Sequence, residues 1–255
     1  MSAITQLLPR GDGSELAPAQ LEELYPVPER PWLRMNFTSS VDGAVTVDGV
    51  SAPLSGDADK TVFKHLRDSC DAVLIGAQTV RREGCRPPLP NSVRQAMRRS
   101  RGLAPAPRLV IVSGSLHLEP EAVGAADPRV LEVARPIVFT TESSDPTRRA
   151  RLTPYAEVVC LGADTVDLVA AVAWLHRHGL RQLLCEGGPH LFGRLAALGL
   201  VDELCLTVSP LLALNDAMRV IAGQPGTPEH PPLQLRLAHV LHSAGVLLTR
   251  YLVAE

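Results

Sequence analysis

Short apolar runs alternate with amphipathic stretches along most of this chain. Runs at 71–75, 108–112, 137–140, 157–160, 182–185 and 203–208 predict strands, and a further strand is expected at 32–39. Between them, helical spacing predicts a helix capped by Ser55 or Asp57 and running to Ser69, with Val62, Phe63 and Leu66 inward. A second helix is capped by Asp164, turns Leu168, Val169, Val172 and Leu175 inward and stops at Gly179; a third covers 189–198. Asp42-Gly43 makes a turn into a short run at 44–47. The late runs 233–241 and 246–252, joined at Ser243-Ala244-Gly245, read as an antiparallel hairpin. The expected fold is α/β, with a mixed, mostly parallel central sheet ending in that hairpin.

Three strand ends carry candidate chemistry. At Leu183-Leu184-Cys185-Glu186-Gly187-Gly188-Pro189-His190-Leu191 a buried strand delivers a carboxylate to its own end, then hands the chain to a helix start. The two glycines leave no Cβ between backbone amides and an incoming anion, although a plain tight turn has the same sequence. A buried Glu186 needs a partner or a task, which favours a functional role. Near the N-terminus, Asn36, Thr38 and Ser40 recur with period two and share one face of a strand, either a solvated edge or the lining of a cleft. Asp42 is either a turn former or a reacting group. The third end is Leu74-Ile75-Gly76-Ala77-Gln78-Thr79, an apolar strand closed by glycine. Open α/β sheets bind nucleotides beyond strand ends of this kind.

Composition narrows the function. The chain has 255 residues, 45% of them hydrophobic, and a net charge of −2, so bulk attraction to nucleic acid or to an anionic membrane is not implied. No stretch approaches the roughly 18 apolar residues of a membrane span, and the cytoplasm is the default location. Residues 1–30 read as a Pro/Glu/Leu-rich lead-in, and 31–255 as a single domain. The five scattered cysteines argue against a disulfide framework, and the four in or beside predicted strands read as buried, inert thiols. One segment, 81–108, carries eight arginines against the single acid Glu83. It has no aromatic residue for stacking bases, which leaves a solvated loop or a phosphate grip.

Taken in order, these segments resemble the riboflavin-pathway pyrimidine reductases, which have a dihydrofolate-reductase-like three-layer fold and use NADPH. The resemblance runs from about Pro31 to Leu252. It is carried by Asn36 with Ser40-Val41-Asp42-Gly43, by Leu66-Arg67 with Asp71 to Gly76 and Thr79-Val80, by Glu186-Gly187-Gly188, and by Gly199 to Leu204 leading to Ser209-Pro210-Leu211. It implies hydride transfer from NADPH to the electrophilic carbon of a ribosylaminopyrimidine, 5-amino-6-(5-phosphoribosylamino)uracil in the family, and a homodimer. It also implies site roles. Gly187, Gly188, Pro189, Leu191 and Phe192 would wrap the pyrophosphate, Gly76 and Thr79 would bind at the neighbouring strand end, and Thr38, Ser113 and Glu83 would lie along the cofactor. Glu186 and Asp42 would be catalytic. Asn36, Ser40, Arg67 and Arg86 would contact substrate.

Two departures qualify that picture. The family's Leu-Thr-x-Arg element for the substrate phosphate is missing; Glu83-Gly84-Cys85-Arg86-Pro87-Pro88-Leu89-Pro90 stands in its place. Weak use of the phosphorylated substrate is therefore expected, with the grip moved to Arg86 or Arg67. Asn36 replaces the lysine of many bacterial members and supplies neither proton nor charge. A fused zinc deaminase needs His-x-Glu together with Pro-Cys-x-x-Cys, a combination absent here, so no metal and no deamination are expected. Two other functions stay open at this point: a reductase of the same fold acting on dihydrofolate or a pterin, and a non-catalytic NADP(H)-binding protein.

Overall fold

The computed structural model describes residues 3–9, 11–84, 87–124, 127–214, 216–222 and 231–254. Along the chain the elements are β1 (Thr5–Leu8), α1 (Pro18–Leu24), β2 (Trp32–Ser40), α2 (Asp57–Ser69), β3 (Ala72–Gly76), α3 (Ala77–Glu83), α4 (Ser92–Ser100), β4 (Arg108–Val112) and α5 (Pro128–Ala134). They continue with β5 (Ile137–Thr140), α6 (Pro146–Leu152), β6 (Glu157–Cys160), α7 (Leu168–Arg177), β7 (Gln182–Cys185), α8 (Pro189–Ala197), β8 (Glu203–Ser209), β9 (Leu235–Ser243) and β10 (Val246–Val253). Two compact units result. One is the continuous segment Arg67–Gly188; the other combines the chain up to Leu66 with the chain from Pro189 onward.

In the continuous unit the strands lie in the order β7-β3-β4-β5-β6, and each pair is parallel. Neighbouring residues such as Val110 and Ile111, or Ile137, Val138 and Phe139, are all fully buried. Both faces of the inner strands β3, β4 and β5 are covered, which is why the sequence shows unbroken apolar runs there instead of alternation. Trp174 of α7 packs edge-on against Phe139, with ring centroids 5.6 Å apart. Because the strands are parallel, their C-terminal ends share one edge, where Gly76, Ser113, Thr141 and Glu186 emerge.

The other unit has the order β1-β9-β10-β8-β2, with β2 and β8 parallel and the remaining pairs antiparallel. The expected mixed sheet with a closing hairpin is present. Its turn has positive φ at both Ala244 and Gly245, the geometry that matches strand twist in a two-residue loop. The first thirty residues are not bare: β1 pairs with β9, and α1 places Tyr25 fully buried behind it.

A buried charge cluster holds this unit together. Glu203, with no exposure, receives Arg250 through Nε at 2.8 Å and Nη2 at 3.0 Å, Arg34 with its Nε 2.6 Å away, and Trp32 Nε1 at 3.0 Å. Arg34 also donates to the carbonyl of Pro26 at 2.9 Å, tying in the segment before β2. Burial alone would raise the Glu203 pKa, but Arg34 and Arg250 overcome it and hold the carboxyl at about 2. Next to the cluster, the ring of His239 meets Tyr25 edge-on at 4.7 Å, and its buried Nε2 has no hydrogen-bond partner.

Several local expectations are corrected. The cap of α7 is Asp167, which accepts from the Ala170 amide at 2.9 Å, not Asp164; Ala171 takes the buried position expected of the exposed Val169. Residues 44–47 form no strand and make only isolated bridges, Ala44 to Arg219 and Val47 to Val50. The arginine-rich stretch is not a plain loop but contains α4, capped by the Asn91 side chain on the Arg94 amide. No helix among the described residues is long and apolar enough to cross a membrane.

Burial, reinforced by the charge of Arg250, lowers the His239 pKa from 6.5 to about 4. The unfolded chain therefore binds a proton that the folded chain refuses, so stability is lost as pH falls from about 6.5 to 4; the Glu203 contribution is lost below its unfolded value of 4.5. Thermal unfolding midpoints should drop on acidification through both windows, by about 2–4 °C per kcal/mol for a chain of this size. His239→Phe, which keeps the ring edge but cannot titrate, should flatten the upper window and leave the lower one.

Candidate active site

Predicted site residues fall in both units. Arg67, Gly76, Thr79, Glu83, Ser113, Glu186, Gly187 and Gly188 belong to the continuous unit, and Asn36, Thr38, Ser40, Asp42, Pro189, Leu191 and Phe192 to the other. Arg86 lies outside the described residues.

At the end of β7, Glu186 has the partner its burial demands. Arg67, in the last turn of α2, donates Nε and Nη2 to its two oxygens, each at 2.6 Å. The Glu186 side chain is 7% exposed and that of Arg67 24%. A two-pronged guanidinium–carboxylate contact fixes both side chains. Glu186 thus anchors Arg67. The chain then turns: the Gly187 carbonyl accepts from the Gly76 amide at 2.8 Å, Gly187 has φ +106°, and the Gly187-Gly188 peptide is cis. A Cβ at Gly188 would lie 2.6 Å from Thr79 Oγ1. The glycine pair is therefore a close approach of the β7 end to the first turn of α3, and no larger residue fits at 188 without displacing Thr79.

The loop after β4 is cinched from several directions. Ser113 is buried, and its hydroxyl accepts from the Leu116 amide at 3.1 Å, so it shapes the turn from within. Arg148 donates to the Ser115 carbonyl at 2.9 Å, and Arg81 to the His117 carbonyl at 3.1 Å. The two exposed guanidinium groups thus flank the loop that follows β4. Arg148 was not visible as a site residue in the sequence, since it sits in the short, polar helix α6 far from any motif. Glu83 is the last residue of α3 and is half-buried.

In the other unit, the shared polar face of β2 exists, and β8 extends it: Asn36 stands beside Cys205, Thr38 beside Thr207 and Ser40 beside Ser209. Much of that face is satisfied internally. Thr38 donates to the Leu54 carbonyl at 3.1 Å, as does Ser209, while Thr207 and Ser55 both donate to Asp59. Thr38 therefore fastens the turn at Ala52–Leu54. Asn36 is half-buried between these pairs.

Asp42 accepts from the Ser40 hydroxyl and from the amides of Ala213 at 3.0 Å and Leu214 at 3.2 Å. The Ser40 hydroxyl first, then those amides, lowers its pKa to about 2. Such a carboxylate has no proton to give near neutrality, and it pins the loop after β8. Leu191 and Phe192 also differ from expectation. Their side chains are buried, and Phe192 stacks on Phe37 at 5.3 Å, so any contact with an anion falls to backbone amides of α8. Pro189 has no amide hydrogen to offer. The thiols of Cys70 and Cys185, both buried, are pushed up to about 12 by that burial and are inert.

This geometry meets its relatives in sequence. The family described as the RibD C-terminal domain matches residues 31–248. The chain is 31% identical over 199 residues, 76% of its own length and 85% of the other, to the 2,5-diamino-6-ribosylamino-4(3H)-pyrimidinone 5′-phosphate reductase of Methanothermobacter thermautotrophicus. It is 28% identical to the protein of the same name from Archaeoglobus fulgidus, over 76% and 88% of the two chains. Among solved structures, a pyrimidine reductase-like protein from Corynebacterium diphtheriae superposes with a TM-score of 0.83 at 25% identity, covering 92% of this chain and 98% of that one.

Glu186→Gln should lower the unfolding free energy by about 1.5–3 kcal/mol, because it strips the counter-charge from a largely buried guanidinium. Adding Arg67→Met should give back part of the loss. Urea denaturation of the two single variants and the double variant, compared as a cycle, measures both effects.

Proposed function

The chain belongs to the RibD C-terminal domain family, a family of reductases, and from that premise we propose that it is an NADPH-dependent reductase of riboflavin biosynthesis acting on a ribosylaminopyrimidine 5′-phosphate. The observation that carries this reading is the convergence of Gly76, Thr79, Ser113 and Glu186-Gly187-Gly188 on one edge of a parallel sheet. The names of the stand-alone relatives favour the 2,5-diamino-pyrimidinone form of the substrate over the deaminated uracil form. They equally favour a pyrimidine over dihydrofolate or a pterin.

The residues fit a dinucleotide. The close approach of Gly188 to Thr79 leaves backbone, with no side chain, facing a pyrophosphate. Arg81 and Arg148, which flank the Ser113–His117 loop, supply the guanidinium groups that a 2′-phosphate selects, and this is the reason for naming NADPH over NADH. When bound, the nicotinamide supplies hydride to the imine carbon of the ring-opened ribosylamine, and a proton from solvent completes the reduction. The chain's own part is binding and orientation. Arg67, held by Glu186, presents a fixed positive charge for the substrate phosphate or the pyrimidine carbonyl, and Asn36 offers an amide that both donates and accepts. Neither Asp42 nor Glu186 acts as the proton source in this scheme.

A homodimer belongs to the same reading. Leu235, Leu237 and Leu247 are exposed, and together with Tyr251 and Val253 they form an apolar face on β9 and β10 suited to a second copy.

NADPH oxidation on adding the phosphorylated diamino-pyrimidine tests the main reading, and turnover of dihydrofolate alone would overturn it. Gly188→Ala should weaken NADPH binding at least tenfold in a fluorescence titration. Arg148→Ala should raise KM for NADPH about tenfold, the loss of one charge-assisted contact, and leave KM for NADH unchanged. Light scattering at micromolar concentration should give twice the 27.3 kDa chain mass.

A further inference from the structure

The arginine-rich stretch does something that neither its composition nor the proposed reaction explains. Arg98, on α4, is completely buried. Its guanidinium donates to three backbone carbonyls: Ala104 at 2.8 Å, Arg67 at 2.8 Å and Cys70 at 2.9 Å. Two of these acceptors belong to the last turn of α2 and the residue just past its end, where a helix leaves carbonyls without intrahelical donors and where a positive charge opposes the helix dipole. The third closes the chain's own exit from α4, so the side chain is locked at its base as well as at its tip.

Arg94 lies one helical turn earlier on the same face of α4. Its Nε reaches both oxygens of Asp68, at 3.0 and 2.8 Å, and its Nη2 lies 2.7 Å from Oδ1. The two arginines thus bracket Arg67: one takes its backbone carbonyl, the other the side chain of the next residue. Arg67 is the residue whose own guanidinium meets Glu186 at 2.6 Å.

We propose that Arg98 is a positioning residue for the reductase, holding the α2 end through the Arg67 and Cys70 carbonyls so that the Arg67 guanidinium keeps its two-pronged contact with Glu186, with Arg94 to Asp68 as a second tether. The proposal rests on the reading that Arg67 contacts the substrate. A lysine at 98 keeps the charge but cannot reach three carbonyls with a planar fork. Loss of the tether lets the Arg67 side chain sample more orientations, which weakens substrate binding before it affects hydride transfer.

The experiment uses the full-length chain with Arg98→Lys, Glu186→Gln, and both together. Arg98→Lys should raise KM for the phosphorylated pyrimidine about tenfold, with kcat and KM for NADPH within twofold of the parent. In the Glu186→Gln background the same change should raise KM less than threefold, since the contact it maintains is already gone. Denaturant unfolding of all four proteins provides a readout that needs no turnover: the effect of the double variant on the unfolding constant should fall short of the product of the single effects by fivefold or more. A lowered thermal midpoint with unchanged KM, or multiplicative effects in the unfolding cycle, would overturn the proposal. If the parent turns over none of the pyrimidines, the reading of the function fails, and the unfolding cycle still decides the tether. Should Arg98→Lys not fold, Arg94→Gln, which breaks the outer tether at a more exposed position, should raise the same KM about threefold; an unchanged KM there would also overturn it.

Discussion

A carboxylate taken out of water must be met by positive charge, and this constraint shapes both units of the chain. In the continuous unit, Glu186 ends β7 and is gripped by Arg67, so the helix end that carries Arg67 has a fixed place. In the other, Glu203 begins β8 and gathers Arg34 from β2 and Arg250 from β10, which binds three strands through one side chain. Arg34 passes the connection on to Pro26, and through it to the segment that precedes β2. Removing either acid leaves buried guanidinium groups without a counter-charge, a larger penalty than the pairs contribute by themselves.

The same constraint reassigns the residues that look chemical in the sequence. Asp42 is ionised and occupied with the loop amides of Ala213 and Leu214, Thr38 with the Leu54 carbonyl, and Ser113 with its own turn. What remains for chemistry is sparse, as suits an enzyme whose cofactor carries the reducing power. Under the proposed function, Arg67, Asn36 and the glycine pair orient ligands and exchange no protons.

Much of the sheet was legible because parallel strands covered on both faces leave unbroken apolar runs: β4, β5 and β7 lie where those runs lie. The short helices α3 to α6 were harder. Seven to nine residues are too few to show an apolar periodicity that separates them from loops, and α3, α4 and α6 are rich in arginine besides. Strand β1 was invisible for another reason, since its partner β9 lies more than two hundred residues away and no local pattern announces it. In the site, the strand-end glycines and the acid at 186 could be read from their order, whereas the ion pair with Arg67 could not, because 119 residues separate its partners. In the sequence Arg98 is one of eight arginines of a solvated loop or a phosphate grip. Only the carbonyls converging around it account for a buried cation with no carboxylate in contact among the described residues.

The division of the chain also bears on how it is made. All five strands of the continuous unit are translated between residues 67 and 188, so that unit can close on itself as soon as it leaves the ribosome. Strand β2 has no such option. Its Arg34 waits for Glu203, 169 residues downstream. The native pairing of β2 with β8 therefore forms only after the whole continuous unit has been made.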